Sequence, residues 1–98
     1  MPKVSVIIPT YNCSSWLLEA IDSIFNQTFK DYELIVVDDG STDDTQSRVK
    51  AIEDKGLQYF YKESAGLASA RNFGIAKATG DFIAFLDCDL AKSTKTQI

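Results

Sequence analysis

The sequence predicts an α/β fold with a mostly parallel β-sheet and helices on both of its faces. Short apolar runs rich in β-branched or aromatic residues alternate with segments whose apolar residues recur at helical spacing. Such alternation gives parallel strands joined by right-handed helical crossovers. The chain has 98 residues, 45% of them hydrophobic, which is enough for one domain.

The first strand is predicted at residues 4–8 and is expected to end at Pro9. A polar loop and a helix follow, and either Ser14 or Ser15 could cap the helix. The apolar residues of this helix fall on one face, which is expected to be buried: Leu17, Ala20, Ile21, Ile24 and Phe25.

The second strand is predicted at residues 34–37, and Ser, Thr and Asp residues after it offer several caps for a second helix. Val49 and Ile52 mark the inner face of this helix. Gly56 suits the left-handed position beyond its end.

The third strand, at residues 57–61, is more amphipathic and is therefore expected near a sheet edge. A third helix at 67–78 and a dry, apolar fourth strand at 81–86 complete the fold, with Gly80 between them. The helix is expected to bury one face, formed by Leu67, Ala70, Gly74, Ile75 and Ala78.

Arg71 lies on that same helical face. Because a guanidinium keeps its charge, an Arg that faces the sheet needs a carboxylate or phosphate partner. Arg71 is therefore a candidate anion contact, and a structural carboxylate such as Asp38 is the alternative partner.

Polar clusters follow three of the predicted strands, at residues 10–12, 38–41 and 87–89. Parallel strands share a direction, so these clusters should emerge at one sheet edge, where ligands bind in such folds. Asp87 and Asp89 follow an apolar strand directly and must be solvated, paired or metal-bound. An acid-rich site would hold a diphosphate only through a divalent cation.

Composition and motifs disfavour several functions. The net charge of −4 and pI of about 4.6 leave no basic stripe for nucleic acid, so no nucleic-acid partner is expected. No apolar run approaches the roughly 20 residues that cross a bilayer, and neither GxGxxG nor a P-loop motif is present. Cys13 and Cys88 lack metal-ligand or CxxC spacing, which favours a reduced, cytoplasmic setting.

Four sequence blocks resemble those of glycosyltransferase family 2, in the family's order and at its spacing. They are VSVIIPTYN at 4–12, ELIVVDDGSTD at 33–43, GLASARNFGI at 66–75 and FLDCD at 85–89. The resemblance implies a Rossmann-like, GT-A type nucleotide-binding half over residues 1–89. It also implies an inverting enzyme that moves a sugar from a nucleoside diphosphate sugar, expected to be UDP-linked, to an acceptor hydroxyl.

The resemblance also implies roles for individual residues around the nucleobase. Pro9, Thr10 and Tyr11 would pack around the base, with the Tyr11 ring stacked on its face, although a loop aromatic resting on the core is the plainer alternative. Asp39 would accept a hydrogen bond from a ring N–H of the base, which favours uracil over cytosine. Asp38 would be structural.

The remaining roles concern the diphosphate side of the site. The resemblance places Arg71 near the base and the acids, Asp87 at the ribose, and Asp89 on a divalent cation, Mn²⁺ or Mg²⁺. A solvated strand-end turn is the alternative for the two acids. Cys88 between them is assigned no chemistry, because hard cations prefer oxygen ligands.

No catalytic residue is expected within this chain, because the family's catalytic base lies in a C-terminal half together with the site for a saccharide or lipid-linked acceptor. Residues 90–98 form an atypical polar tail, and the full-length enzyme is expected at the inner face of the membrane. Two alternatives stay open. One is an aspartyl-phosphate phosphohydrolase with Asp87 as nucleophile, although Ala91 departs from that pattern. The other is a non-catalytic interaction module that self-associates through an unpaired sheet edge.

Overall fold

A computed structural model describes residues 2–53 and 56–86 of the chain. Strands and helices alternate along it: β1 Val4–Thr10, α1 Ser14–Phe25, β2 Tyr32–Asp38, α2 Thr45–Lys50, β3 Leu57–Tyr61, α3 Leu67–Lys77 and β4 Phe82–Phe85. The four described strands form one parallel sheet in the order β3-β2-β1-β4. The predicted fold class and the edge position of the third strand are therefore confirmed.

Helices cover both faces of the sheet, as predicted. The core on one face joins side chains of α1 and α2 to the sheet: Val6, Ile8, Leu17, Ile21, Ile24, Leu34, Val36, Val49, Leu57 and Leu86. The core on the opposite face is smaller and lies under α3: Ile7, Ile35, Val37 and Ala70. Because the strands run parallel and are covered on both faces, β1 and β2 read as continuous apolar runs.

The first strand differs from its prediction, because it continues through Pro9 to Thr10. Pro9 pairs in register with Val37 of β2. Along β1 the odd-numbered residues bond toward β4, as the Leu86 N–H to Ile7 carbonyl bond shows. The missing N–H of Pro9 therefore faces the β4 side of the strand, beyond Ile7–Phe85, the last described pair of β1 with β4.

The start of α1 also differs from its prediction. The N-cap residue is Cys13 rather than Ser14 or Ser15, and its side chain makes no capping hydrogen bond. The backbone N–H of Ser14 instead lies near the carboxylate of Asp43, which follows the neighbouring strand β2, and this contact helps to lower the pKa of Asp43. The acidic group near the start of α1 thus comes from a distant segment, which helix-start patterns do not detect.

The face of α3 and the fourth strand are less buried than predicted. Ala70 and Gly74 are buried, but Leu67 and Ile75 are each 43% exposed. In β4, Phe82 is 61% exposed and Ile83 is 41% exposed. These side chains are exposed because β4 is an edge strand among the described strands and α3 packs mainly over β1 and β2. No helix in the described part of the chain is long and apolar enough to cross a bilayer.

Candidate nucleotide-binding site

The carboxyl ends of β1 and β2 lie side by side. Thr10 pairs in register with Asp38, and the Asp39 N–H donates to the Thr10 carbonyl at 2.8 Å. The predicted meeting of the first two polar clusters at one sheet edge is therefore confirmed. The third cluster, residues 87–89, lies outside the described residues.

Asn12 fastens the loop after β1 to the loop after β2. Its backbone N–H donates to Ser41 Oγ at 2.9 Å, and its Oδ1 accepts from the N–H groups of Thr42 and Asp43 at 2.8 and 3.2 Å. Asn12 has a φ of +51°, a left-handed conformation that Asn tolerates better than most residues. Sequence reasoning gave this residue no role, although an Asn in a polar loop after a buried strand is typical of such turns.

Asp38 is fully buried and belongs to the structure of the edge. Its Oδ1 accepts the Ser41 N–H at 2.8 Å, and its Oδ2 accepts the Tyr59 hydroxyl at 2.6 Å. Burial, followed by the hydrogen bond to Asp38, raises the pKa of Tyr59 well above its ordinary value. The hydroxyl of Tyr59 therefore remains a donor, and both oxygens of Asp38 are engaged within the protein.

Asp39 is held by three donors from the segment that follows β3. Its Oδ1 accepts from Lys62 Nζ at 3.1 Å and from the Ala65 N–H at 3.0 Å, and its Oδ2 accepts the Gly66 N–H at 3.0 Å. Burial alone raises the pKa of the Asp39 carboxyl, but the bonds from Ala65, Lys62 and Gly66 outweigh burial and hold the pKa below its ordinary value. The group is thus an anion at neutral pH, placed at the N-terminus of α3.

Gly40 makes the close approach of this segment possible. It has a φ of +82°, and a Cβ at this position would lie 2.9 Å from the backbone nitrogen of Ser64. A glycine both adopts this conformation and leaves the space that the chain at Ser64 occupies. In the Asp38-Asp39-Gly40 sequence, Asp38 is therefore structural, Asp39 faces the start of α3, and Gly40 allows the close contact with Ser64.

The three residues expected around a nucleobase lie at the end of β1. Pro9 is buried, and Thr10 is 3% exposed with a buried hydroxyl that has no hydrogen-bond partner among the described residues. Tyr11 is 50% exposed. The half-exposed ring of Tyr11 offers a ligand a stacking surface, and the Thr10 hydroxyl is a buried polar group whose missing partner needs an explanation.

Arg71 lies on α3 over the last residue of β4. Its Cζ is 5.5 Å from the centroid of the Phe85 ring, a cation–π distance. The alternative prediction paired Arg71 with Asp38. Among the described residues, however, the hydrogen-bond partners of the Asp38 carboxylate are Ser41 and Tyr59.

The metal site is not described by the structure. Asp87 and Asp89, the acids predicted for the ribose and the cation, lie outside the described residues. Within residues 2–53 and 56–86 no three acidic, Cys or His side chains form a group that could hold a metal ion. The expectation of reduced cysteines stays a prediction, because Cys88 lies outside the described residues.

Known structures share this fold. A mannosyltransferase from Pyrobaculum calidifontis, solved in complex with GDP-Man and Mn²⁺, is 34% identical with a TM-score of 0.82 over 88% of this chain and 27% of its own. The 1–349 portion of TarS from S. aureus, solved with UDP, is 37% identical with a TM-score of 0.81 over 89% of this chain and 27% of its own. The fold is thus that of the GT-A glycosyltransferases.

The glycosyl transferase family 2 model matches residues 5–95. An uncharacterized glycosyltransferase of Rickettsia bellii is 52% identical over 88 residues, which cover 89% of this chain and 13% of that protein. The chain belongs to glycosyl transferase family 2, and it spans well under half the length of these relatives.

Proposed function

We propose that the chain is the donor-binding half of an inverting glycosyltransferase that uses a UDP-linked sugar. The observation that carries this proposal is the Asp39 carboxylate at the ligand edge of the sheet. A carboxylate offers about four acceptor positions. Three are filled by Lys62, Ala65 and Gly66, which leaves one on Oδ2. Uracil can donate its ring N–H to that position, whereas cytosine presents an acceptor there.

The remaining contacts follow from the same edge. Tyr11 would stack on the base, Thr10 would donate or accept with its unsatisfied hydroxyl, and Pro9 would support them from the end of β1. Arg71, over the end of β4, would face the anionic part of the donor. The relatives solved with UDP or GDP-Man support a nucleoside diphosphate sugar as the ligand class.

A divalent cation belongs to this proposal, with Asp87 at the ribose and Asp89 as the cation ligand. Carboxylate oxygens are suitable ligands for Mn²⁺ or Mg²⁺, and the relative solved with GDP-Man also holds Mn²⁺. When bound, the cation would offset the charge that develops on the departing diphosphate. The acceptor hydroxyl, its saccharide or lipid-linked carrier and the base that deprotonates it are assigned to other parts of the enzyme.

The proposal is tested by titrating the 98-residue chain with UDP in the presence of Mn²⁺. At about 100 times the dissociation constant, UDP should add about 2.7 kcal/mol to the free energy of unfolding. For a domain of this size each kcal/mol moves the melting temperature by about 4–8 °C, so a rise of roughly 11–22 °C is expected. A folded sample whose melting temperature UDP leaves unchanged would refute the proposal.

Tyr11→Ala separates base stacking from general loss of structure. Stacking of a base on an aromatic ring is worth about 1–3 kcal/mol, so UDP should bind roughly 5- to 150-fold more weakly. Phe29→Ala is the matched control, since Phe29 is 46% exposed but precedes β2 at the opposite edge of the sheet. Equal effects of the two substitutions on UDP affinity would rule out stacking by Tyr11.

A further inference from the structure

Lys62 follows β3 directly and reaches the same carboxylate that the proposed function assigns to the base. Its side chain is 16% exposed, and its ammonium donates to Asp39 Oδ1 at 3.1 Å and to the Glu63 carbonyl at 2.8 Å. The Asp39 side chain is 9% exposed. A lysine that is this buried and holds two acceptors loses much side-chain freedom, so the contact is well defined rather than a loose surface pair.

The position of the ammonium determines which oxygen of Asp39 stays available. Oδ1 receives both Lys62 and the Ala65 N–H, so its two acceptor positions are filled. Oδ2 receives the Gly66 N–H alone, which leaves one acceptor position. Without Lys62, both oxygens would have a vacant position, and the nearby positive charge that disfavours protonation would be lost.

We infer that Lys62 is a specificity-determining positioning residue: it holds the Asp39 carboxylate in a single, acceptor-only state and thereby selects bases that present a ring N–H. This inference rests on the proposed function. A carboxylate that accepts only is repelled by the ring nitrogen acceptor of cytosine. A protonated carboxyl could instead donate to that nitrogen. Loss of Lys62 should therefore reduce discrimination between bases as well as affinity.

The test compares dissociation constants for UDP and CDP, each with Mn²⁺, in wild type, Lys62→Met and Lys62→Arg. A hydrogen bond to a charged group corresponds to roughly a 10- to 150-fold change in affinity. We expect Lys62→Met to reduce the preference for UDP over CDP by about tenfold or more. Lys62→Arg retains a positive charge at this position and should therefore keep most of the preference for UDP over CDP. A purely structural role of Lys62 would not predict that the preference depends on this charge.

Lys50→Met is the matched control, because it removes the same charge from an exposed position at the end of α2. It should leave the UDP-to-CDP ratio unchanged. If Lys62→Met does not fold by circular dichroism, Lys62→Gln takes its place, and the preference for UDP over CDP should still fall because the positive charge is removed.

The outcomes distinguish the inference from the function on which it rests. An unchanged UDP-to-CDP ratio in the folded Lys62→Met or Lys62→Gln variant overturns the inference while leaving UDP binding intact. A loss of preference in Lys62→Arg as large as in Lys62→Met also overturns it, since the charge is then present. Failure of the wild-type chain to bind UDP overturns the proposed function and the inference together.

Discussion

Tyr59→Phe should destabilise the chain more than the removal of one surface hydroxyl would. The Tyr59 hydroxyl donates at 2.6 Å to Oδ2 of the fully buried Asp38, whose other oxygen is already bonded to the Ser41 N–H. Phenylalanine keeps the ring and its packing but leaves Oδ2 without its donor. A hydrogen bond to a charged group is worth about 1.5–3 kcal/mol, and a melting temperature lower by roughly 6–24 °C follows for a domain of this size.

The measurement is urea unfolding at pH 7, compared with thermal unfolding, for wild type and two variants. Tyr61→Phe is the matched control, because Tyr61 lies two residues further along β3, is 48% exposed and donates to the neutral Ser41 carbonyl at 3.3 Å. It should cost no more than about 0.5–1 kcal/mol. If the two variants lose equal stability, or Tyr59→Phe loses less than about 0.5 kcal/mol, the Asp38 contact does not stabilise the edge as argued.

Three further results are expected. The pKa of Tyr59 is raised in the folded state, so the stabilisation that its hydroxyl provides is complete below about pH 10 and declines at higher pH. Above that pH the unfolding free energy of wild type should therefore fall more steeply with pH than that of Tyr59→Phe. Parallel curves for the two proteins would contradict this. Gly74→Ala places a Cβ 2.5 Å from Ile7 Cγ2, so the overpacking cost of about 1–3 kcal/mol should exceed the roughly 1 kcal/mol gain in helix propensity. In a double-mutant cycle, the same substitution in an Ile7→Ala background should no longer show this cost. Gly40→Ala should lose at least about 1–2 kcal/mol in urea unfolding, from its φ of +82° and the 2.9 Å approach to Ser64, and a neutral effect would show that this loop readjusts.

The fold was predictable because its local signals agree with its topology. The runs at Val6 to Ile8 and Leu34 to Val37 are apolar on both faces, and only a central position in a covered parallel sheet buries such runs. The exposure of Leu67 and Ile75 was not predictable from helical spacing. Spacing identifies the apolar face of α3, but the neighbouring strands determine how much of that face is covered.

The candidate site was predictable in part for the same reason. Polar residues at strand ends located Thr10 and Asp39 at one edge from sequence alone. The contacts that orient Asp39 could not be predicted, because they come from Lys62 and Gly66, which lie 23 and 27 residues further along the chain. Such contacts depend on how strands pair in space, and a single sequence has no local pattern that reports them.

The place of β1 at the centre of the described sheet has a consequence for synthesis. This strand is made first, yet one of its two sides is completed only by the last described strand, and the bond from the Gly80 N–H to Ser5 Oγ spans 75 residues. At roughly 5–20 residues per second, a ribosome needs about 4–15 s to make that span. During that time β1 exposes an unpaired edge beside Ile7, so the nascent chain passes through an interval in which a buried central strand is open to other chains or to chaperones.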